Sequence, residues 1–193
     1  MAGAKEFEIV AFATAKEWRQ WLAKNHAASD GIWLRLFKKT SGAVSVTYDE
    51  ALDEALCYGW IDGQLKSGDK KSWLRKFTQR RAKSVWSKKN QAHVARLTKS
   101  GRMTAAGLKA VDTARQDGRW AIAYDSPGKT VIPPYFLKEL AKNAKAKAFF
   151  GTLNKANVYA ITWRLQTAKK PETRQKRLEA ILAMLAKGEK FHA

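Results

Sequence analysis

A single cysteine, Cys57, occurs in the chain, so no disulfide can form within it. Histidine is almost as scarce. His26, His93 and His192 are scattered along the sequence, whereas zinc needs about four clustered ligands. No metal site and no cofactor are expected. No apolar run approaches the ~20 residues that cross a bilayer, so no membrane insertion is expected. The first residues, Met1–Glu8, include Lys5, Glu6 and Glu8 and lack the basic start and apolar stretch of a signal peptide. Together these absences point to the cytoplasm. There is no phosphate-binding Gly-rich loop before Lys-Ser/Thr, no Gly-x-Gly-x-x-Gly after a strand and no Gly-x-Ser-x-Gly. No internal repeat or low-complexity tail is visible, although the last residues, Glu189–Ala193, are expected to fray.

Acidic residues are the remaining shortage. Seventeen stand against 37 Lys and Arg, which leaves the 193-residue chain at +20. The imbalance is local. Residues 1–62 carry −2, residues 63–102 carry +12 with Asp69 as the one acid, and residues 103–193 carry +10. A field of one sign attracts polyanions and acidic partners. It also keeps a protein soluble, and Lys142, Lys145 and Lys147 in a small-residue helical stretch fit that blander role. Hydrophobic residues make up 45%, enough for a core.

Hydrophobic periodicity outlines the elements. Thr14 and Glu17 have capping-box spacing, and Trp18, Trp21 and Leu22 follow at helical intervals, predicting a helix over about 15–25. Ile32, Leu34 and Leu36 alternate with Trp33, Arg35 and Phe37, the period of a strand. A second box, Thr47 and Glu50, leads a helix with Leu52, Ala55 and Leu56 inward and Gly59 as its stop. Residues 61–65 and 72–77 read as an antiparallel hairpin about a Ser67-Gly68-Asp69 turn. Helices follow over 84–99 (with Ser84 as N-cap), 104–116, from Pro133-Pro134, over 145–153 and 155–169, and from Pro171, where a missing N–H costs little. In the last of these, Leu178, Ile181, Leu182 and Leu185 form the buried face. The fold class is therefore α+β: a small antiparallel sheet of about three strands packed by helices, followed by a C-terminal helical half. A single domain over 1–193 is expected, with an α+β part over about 1–125 and a helical part over about 130–190.

The segment 57–90 concentrates aromatics, arginines and small hydroxyls. Tyr58, Trp60, Trp73, Phe77 and Trp86 interleave with Arg75, Arg80 and Arg81. Arginine grips phosphate or carboxylate bidentately, and aromatic faces stack on flat rings. Candidate ligand-binding residues are Tyr58, Trp60, Asp62, Arg75, Arg80, Arg81, Ser84, Trp86, Ser87 and Asn90; no catalytic residue is assigned. A helix N-terminus at Ser84 offers backbone N–H groups to an anion. Asp62 either pairs with an arginine or acts as a general base. Each also has a structural role open to it. Trp60 and Trp86 suit core anchors, Asp62-Gly63 and Asp69 suit turns, and Asn90 suits a cap. His93 suits a solvated or core-edge position. Cys57, at a helix C-terminus that does not stabilise a thiolate, suits a small buried hydrophobe.

The strings Tyr58–Gly63, Phe77–Arg81 and Ser84–Asn90, with Glu17–Leu22, Gly31–Trp33, Asp117–Trp120 and Glu172–Arg177, resemble the YdeI/OmpD-associated, or bacteriocin-protection, family. The resemblance covers nearly the whole chain. One departure is Gln79, where the family usually has a proline that stiffens the approach to the two arginines. The resemblance implies a bacterial protein and brings no agreed reaction, cofactor or catalytic set.

Three functions fit these residues. The first is binding of an anionic partner: nucleic acid, a nucleotide or a phosphorylated metabolite. Another is a small-molecule enzyme or detoxifying protein using a pocket around Asp62 and Arg80. The last is a scaffold for an acidic protein.

Overall fold

In the computed structural model, which describes residues 6–192, Thr14 opens α1 (Ala15–Asn25). Met1–Lys5, part of the N-terminal segment considered above, and Ala193 at the tail lie outside the described residues. The Thr14 hydroxyl accepts from the Glu17 N–H, and the Glu17 carboxylate reaches back to the Ala13 N–H. The second box is complete. Glu50 N–H donates to the Thr47 hydroxyl and Thr47 N–H to the Glu50 carboxylate, starting α2 (Tyr48–Cys57). These bonds satisfy donors that a helix start otherwise leaves orphaned.

The chain divides into two compact units. One holds the residues up to Ser84 together with Ala92–Thr113, the other Val85–Gln91 together with Ala114 onward. One boundary lies at Ser84/Val85; the other two fall within α3 (Lys88–Lys99) and α4 (Ala105–Gln116).

The first unit is built on a sheet of four strands among the described residues, β1 (Ile9–Val10), β2 (Gly31–Phe37), β3 (Trp60–Ser67) and β4 (Ser72–Gln79), in the order β1-β2-β4-β3. The three expected strands are present and pair antiparallel with one another. The addition is β1, which pairs parallel to β2 and makes the sheet mixed. A two-residue strand is too short to show a period of two. Ile32, Leu34, Leu36 and Phe77 turn one face of the sheet onto Trp18 and Leu22 of α1 and Ala51 and Ala55 of α2. Trp18 and Trp60 are both 0% exposed. Their indole N–H groups donate to the carbonyls of Ala51 and His26, each at 3.0 Å, as a buried indole requires.

The end of α2 fixes the next helical segment. Gly59 takes a left-handed φ of 73°, and the Cys57 carbonyl accepts from both the N–H and the hydroxyl of Thr104, just before α4. Gly107 approaches so closely that a Cβ there would lie 2.2 Å from the Cys57 carbonyl oxygen.

The second unit contains α5 (Pro134–Leu140), α6 (Ala144–Phe150), α7 (Lys155–Gln166) and α8 (Pro171–Ala186). Phe136, Leu140, Ile161 and Leu165 pack with Leu178, Ile181 and Leu185, the stripe expected on the last helix. Leu182, also on that stripe, is half-buried. In the tail, where fraying was expected from sequence, His192 is placed against α7. Its N–H and carbonyl both bond the side chain of Asn157, which is 1% exposed. Among the described residues no helix is long and apolar enough to cross a membrane.

Candidate functional site

The alternation of β2, β3 and β4 separates two chemistries. One face carries the aromatic core just described. On the other, Trp33 pairs with Lys76 and Leu74 with Lys66 across adjacent strands, which puts these side chains together. The Lys66 ammonium lies 4.4 Å and the Lys76 ammonium 5.9 Å from the centre of the Trp33 indole; Lys76 is also 4.0 Å from the Phe7 ring. Arg35 shares this face by register and is bound to Asp69 at 2.9 Å. Asp69 also accepts from the Lys71 N–H and the Ser72 hydroxyl, the turn role open to it from sequence. Lys66, Lys70, Lys71, Lys76, Arg81 and Lys83 make no ion pair with a carboxylate among the described residues. Trp33, Lys66 and Lys76 were not among the site residues expected from sequence. Strict alternation along β3 would put Lys66 with Trp60 and Asp62; the irregularity between Asp62 and Leu65 moves it to the face of Trp33 and Lys76.

Asp62 is held on the core side of β3. Its carboxylate accepts from the Tyr48 hydroxyl at 2.8 Å and lies 3.7 Å from Arg75. Arg75 donates to the Gly63 carbonyl and stands over the rings of Tyr48 and Trp73. Burial, reinforced by the Asp62 charge, pushes the Tyr48 phenol well above its ordinary range. Asp62 thus takes the arginine-pairing role, with Arg75. The dipeptide Asp62-Gly63 sits at an irregularity in β3 instead of a turn between elements.

The other candidates fall in several environments. Trp60 is enclosed by Trp18 and Trp21, with ring centres 6.3 and 5.7 Å away, so its faces are core contacts. Tyr58 is half-buried against His26 and under the Arg19 guanidinium. Arg80 is half-buried and its N–H donates to the Gly59 carbonyl, while Arg81 is exposed. The Ser84 hydroxyl accepts from the Arg81 N–H, so it does not cap α3, contrary to the sequence expectation. That cap is Ser87, whose hydroxyl accepts from the Asn90 N–H. The backbone from Trp86 to Lys88 is extended because it pairs with Tyr124. In the second unit Trp86 is buried 4.9 Å from Trp120, and Ser87 and Asn90 are buried as well. At Gln79, where a proline was expected from the family, the side-chain amide donates to the carbonyls of Ala27 and Ser29. It ties the end of β4 to the loop before β2.

One polar cluster escaped the sequence altogether. Asp53 and Glu54, adjacent on α2, are 8% and 4% exposed. Asp53 accepts from Arg96 and from His93 Nδ1, both at 2.7 Å; the carboxylate fixes the proton on that nitrogen. Glu54 accepts from Arg19 at 2.7 Å and from Arg102. Burial pushes the Asp53 carboxyl up, but the hydrogen bonds from Arg96 and His93 outweigh it and hold the group below its ordinary range. Burial raises the Cys57 thiol, which is 0% exposed and remains a small buried hydrophobe. No cluster of His, Cys, Asp and Glu that could hold a metal occurs among the described residues.

These features define a basic α+β protein with a lysine-bearing sheet face. Residues 10–110, just over half of the chain, match a domain of unknown function (DUF8412), and the chain belongs to that family. Residues 129–188 match the bacteriocin-protection, YdeI or OmpD-associated family. The resemblance seen in the sequence is thereby matched in the C-terminal half, including Glu172–Arg177, whereas the 57–90 segment lies within the first match. No curated protein and no solved structure matches the chain.

Proposed function

We propose that the protein binds an anionic partner, nucleic acid in the first place, through the basic residues of β3, β4 and the segment after β4. The supporting observation is the arrangement of Lys66 and Lys76 around Trp33 on the sheet face opposite the core. A row of ammonium groups along neighbouring strands suits a repeating phosphate backbone, where affinity comes from counterion release. Arg80 and Arg81, directly after β4, extend the same positive run. A nucleotide or phosphorylated metabolite needs only one such cluster and is the narrower form of the same reading. The enzymatic alternative around Asp62 has less support, because the Asp62 oxygen facing Arg75 already accepts from Tyr48.

The test is fluorescence anisotropy with labelled single-stranded and duplex DNA and RNA. The parent is compared with Lys66→Gln/Lys76→Gln and with Arg80→Ala/Arg81→Ala. Each double variant is expected to bind about tenfold more weakly at low salt. Parent-like binding in both variants sinks this site. An acidic protein recovered in its place would move the assignment to a scaffold.

A further inference from the structure

A second place in the molecule has the makings of a ligand site, and it shares no residue with the sheet face. Helices α7 and α8 enclose a cleft of about 430 Å³ with the C-terminal tail. That volume lies in the range of small-molecule sites. Trp163, Ile181, Met184 and Phe191 give it an apolar lining, and Arg164 and Arg177 are the charged groups on it. No lining residue is acidic. Neither arginine pairs with a carboxylate among the described residues.

Both guanidinium groups are held in place. Arg177 Nη1 donates to the Arg164 carbonyl at 2.6 Å and to the Thr167 hydroxyl at 3.2 Å. Arg164 Nη1 donates to the Ala160 carbonyl, and the guanidinium carbon sits 3.7 Å from the centre of the Phe191 ring. Phe191 is itself anchored, because the neighbouring His192 is bonded at both its N–H and its carbonyl by Asn157. These bonds use only part of each guanidinium, which carries five N–H donors. The cleft therefore combines fixed, charge-assisted donors with a flat apolar wall. Pre-positioned donors lose little entropy on binding.

We propose that this cleft binds a small amphipathic anion: one carboxylate, sulfonate or phosphate on an aromatic or aliphatic body about the size of two fused rings. The anionic head meets Arg164 and Arg177, and the body lies against Trp163, Ile181 and Met184. The pinned tail, through Phe191, forms one wall.

The probe is 2-naphthoate, titrated calorimetrically into the full chain at constant ionic strength, with the neutral 2-naphthalenemethanol as comparison. Saturable one-to-one binding of 2-naphthoate is expected, with the alcohol at least tenfold weaker. Ala180 lies exposed on the cleft rim, so Ala180→Trp fills the space and should abolish binding without shifting the thermal midpoint. Arg164→Gln, which gives up the bond to Ala160 and the contact with Phe191, should weaken binding at least tenfold and covers the case in which the tryptophan variant misfolds. The proposal is overturned by the absence of saturable binding up to millimolar probe, or by equal affinity for acid and alcohol. Parent-like binding in a folded Ala180→Trp or in Arg164→Gln overturns it as well. None of these outcomes depends on whether the sheet face binds nucleic acid.

Discussion

One guanidinium nitrogen of Arg96 donates to both carboxylate oxygens of Asp53, each at 2.7 Å. His93 adds a third bond at the same distance, so an acid on α2 is tied to two bases on α3. Removing the acid takes the carboxylate from His93 and Arg96, while Arg102 loses a charge at 3.9 Å and keeps Glu54. Asp53→Ala should destabilise the protein by about 2 kcal/mol, below the usual cost of breaking a buried pair because the Arg96 side chain is half exposed. Urea unfolding measures it. A loss under about 0.5 kcal/mol would make the cluster a surface feature.

The same carboxyl sets an acid limit. Asp53 is held below its ordinary range, and so is Asp125. There burial pushes upward but bonds from Lys88, Gln166 and the Val131 N–H prevail. A depressed folded-state pKa means the unfolded chain binds more protons as the pH falls. Stability from these groups is complete above the unfolded value of about 4 and declines below it. Urea midpoints taken from pH 7 to pH 3 should be level with respect to these groups down to about 4 and then fall. Asp53→Asn should fall less steeply. Parallel curves for parent and variant would remove Asp53 from the account.

Close packing of α4 on the end of α2 makes a sharper demand. A Cβ at Gly107 would sit 2.2 Å from the Cys57 carbonyl oxygen and 2.9 Å from that of Leu56. Both are backbone atoms and cannot swing aside. Gly107→Ala should cost about 2–3 kcal/mol despite the higher helix propensity of alanine. Gly128→Ala, where nothing lies within 4 Å of the added carbon, should be neutral within about 0.5 kcal/mol. Equal stability of the two variants in thermal unfolding would contradict the close approach.

Local signals were the legible ones. Both capping boxes start the helices expected of them, and Pro171 opens α8 with Leu178, Ile181 and Leu185 buried. Trp60 and Trp86 show how one composition serves two roles, since the aromatic-arginine mixture does not reveal which rings the core consumes. Ser84 and Ser87 are equally good caps in isolation. The choice of Ser87 depends on pairing with Tyr124, more than thirty positions away. Asp53 and Glu54 were unreadable for the same reason, because Arg19, His93, Arg96 and Arg102 come from distant positions. The sheet face with Trp33, Lys66 and Lys76 needed only the strand register, which residue counting along the segment did not supply.

The central claim is that the positive face of the sheet holds a polyanion. The direct measurement is the salt dependence of binding to a labelled single strand, for the parent and for Lys66→Gln/Lys76→Gln. The logarithm of the affinity should fall linearly with the logarithm of salt concentration. The variant's slope should be shallower by about 1.4, which is about 0.7 for each phosphate that Lys66 and Lys76 no longer neutralise. Identical slopes, or no binding by the parent at low salt, would contradict the claim and leave the charge on β3 and β4 without this role.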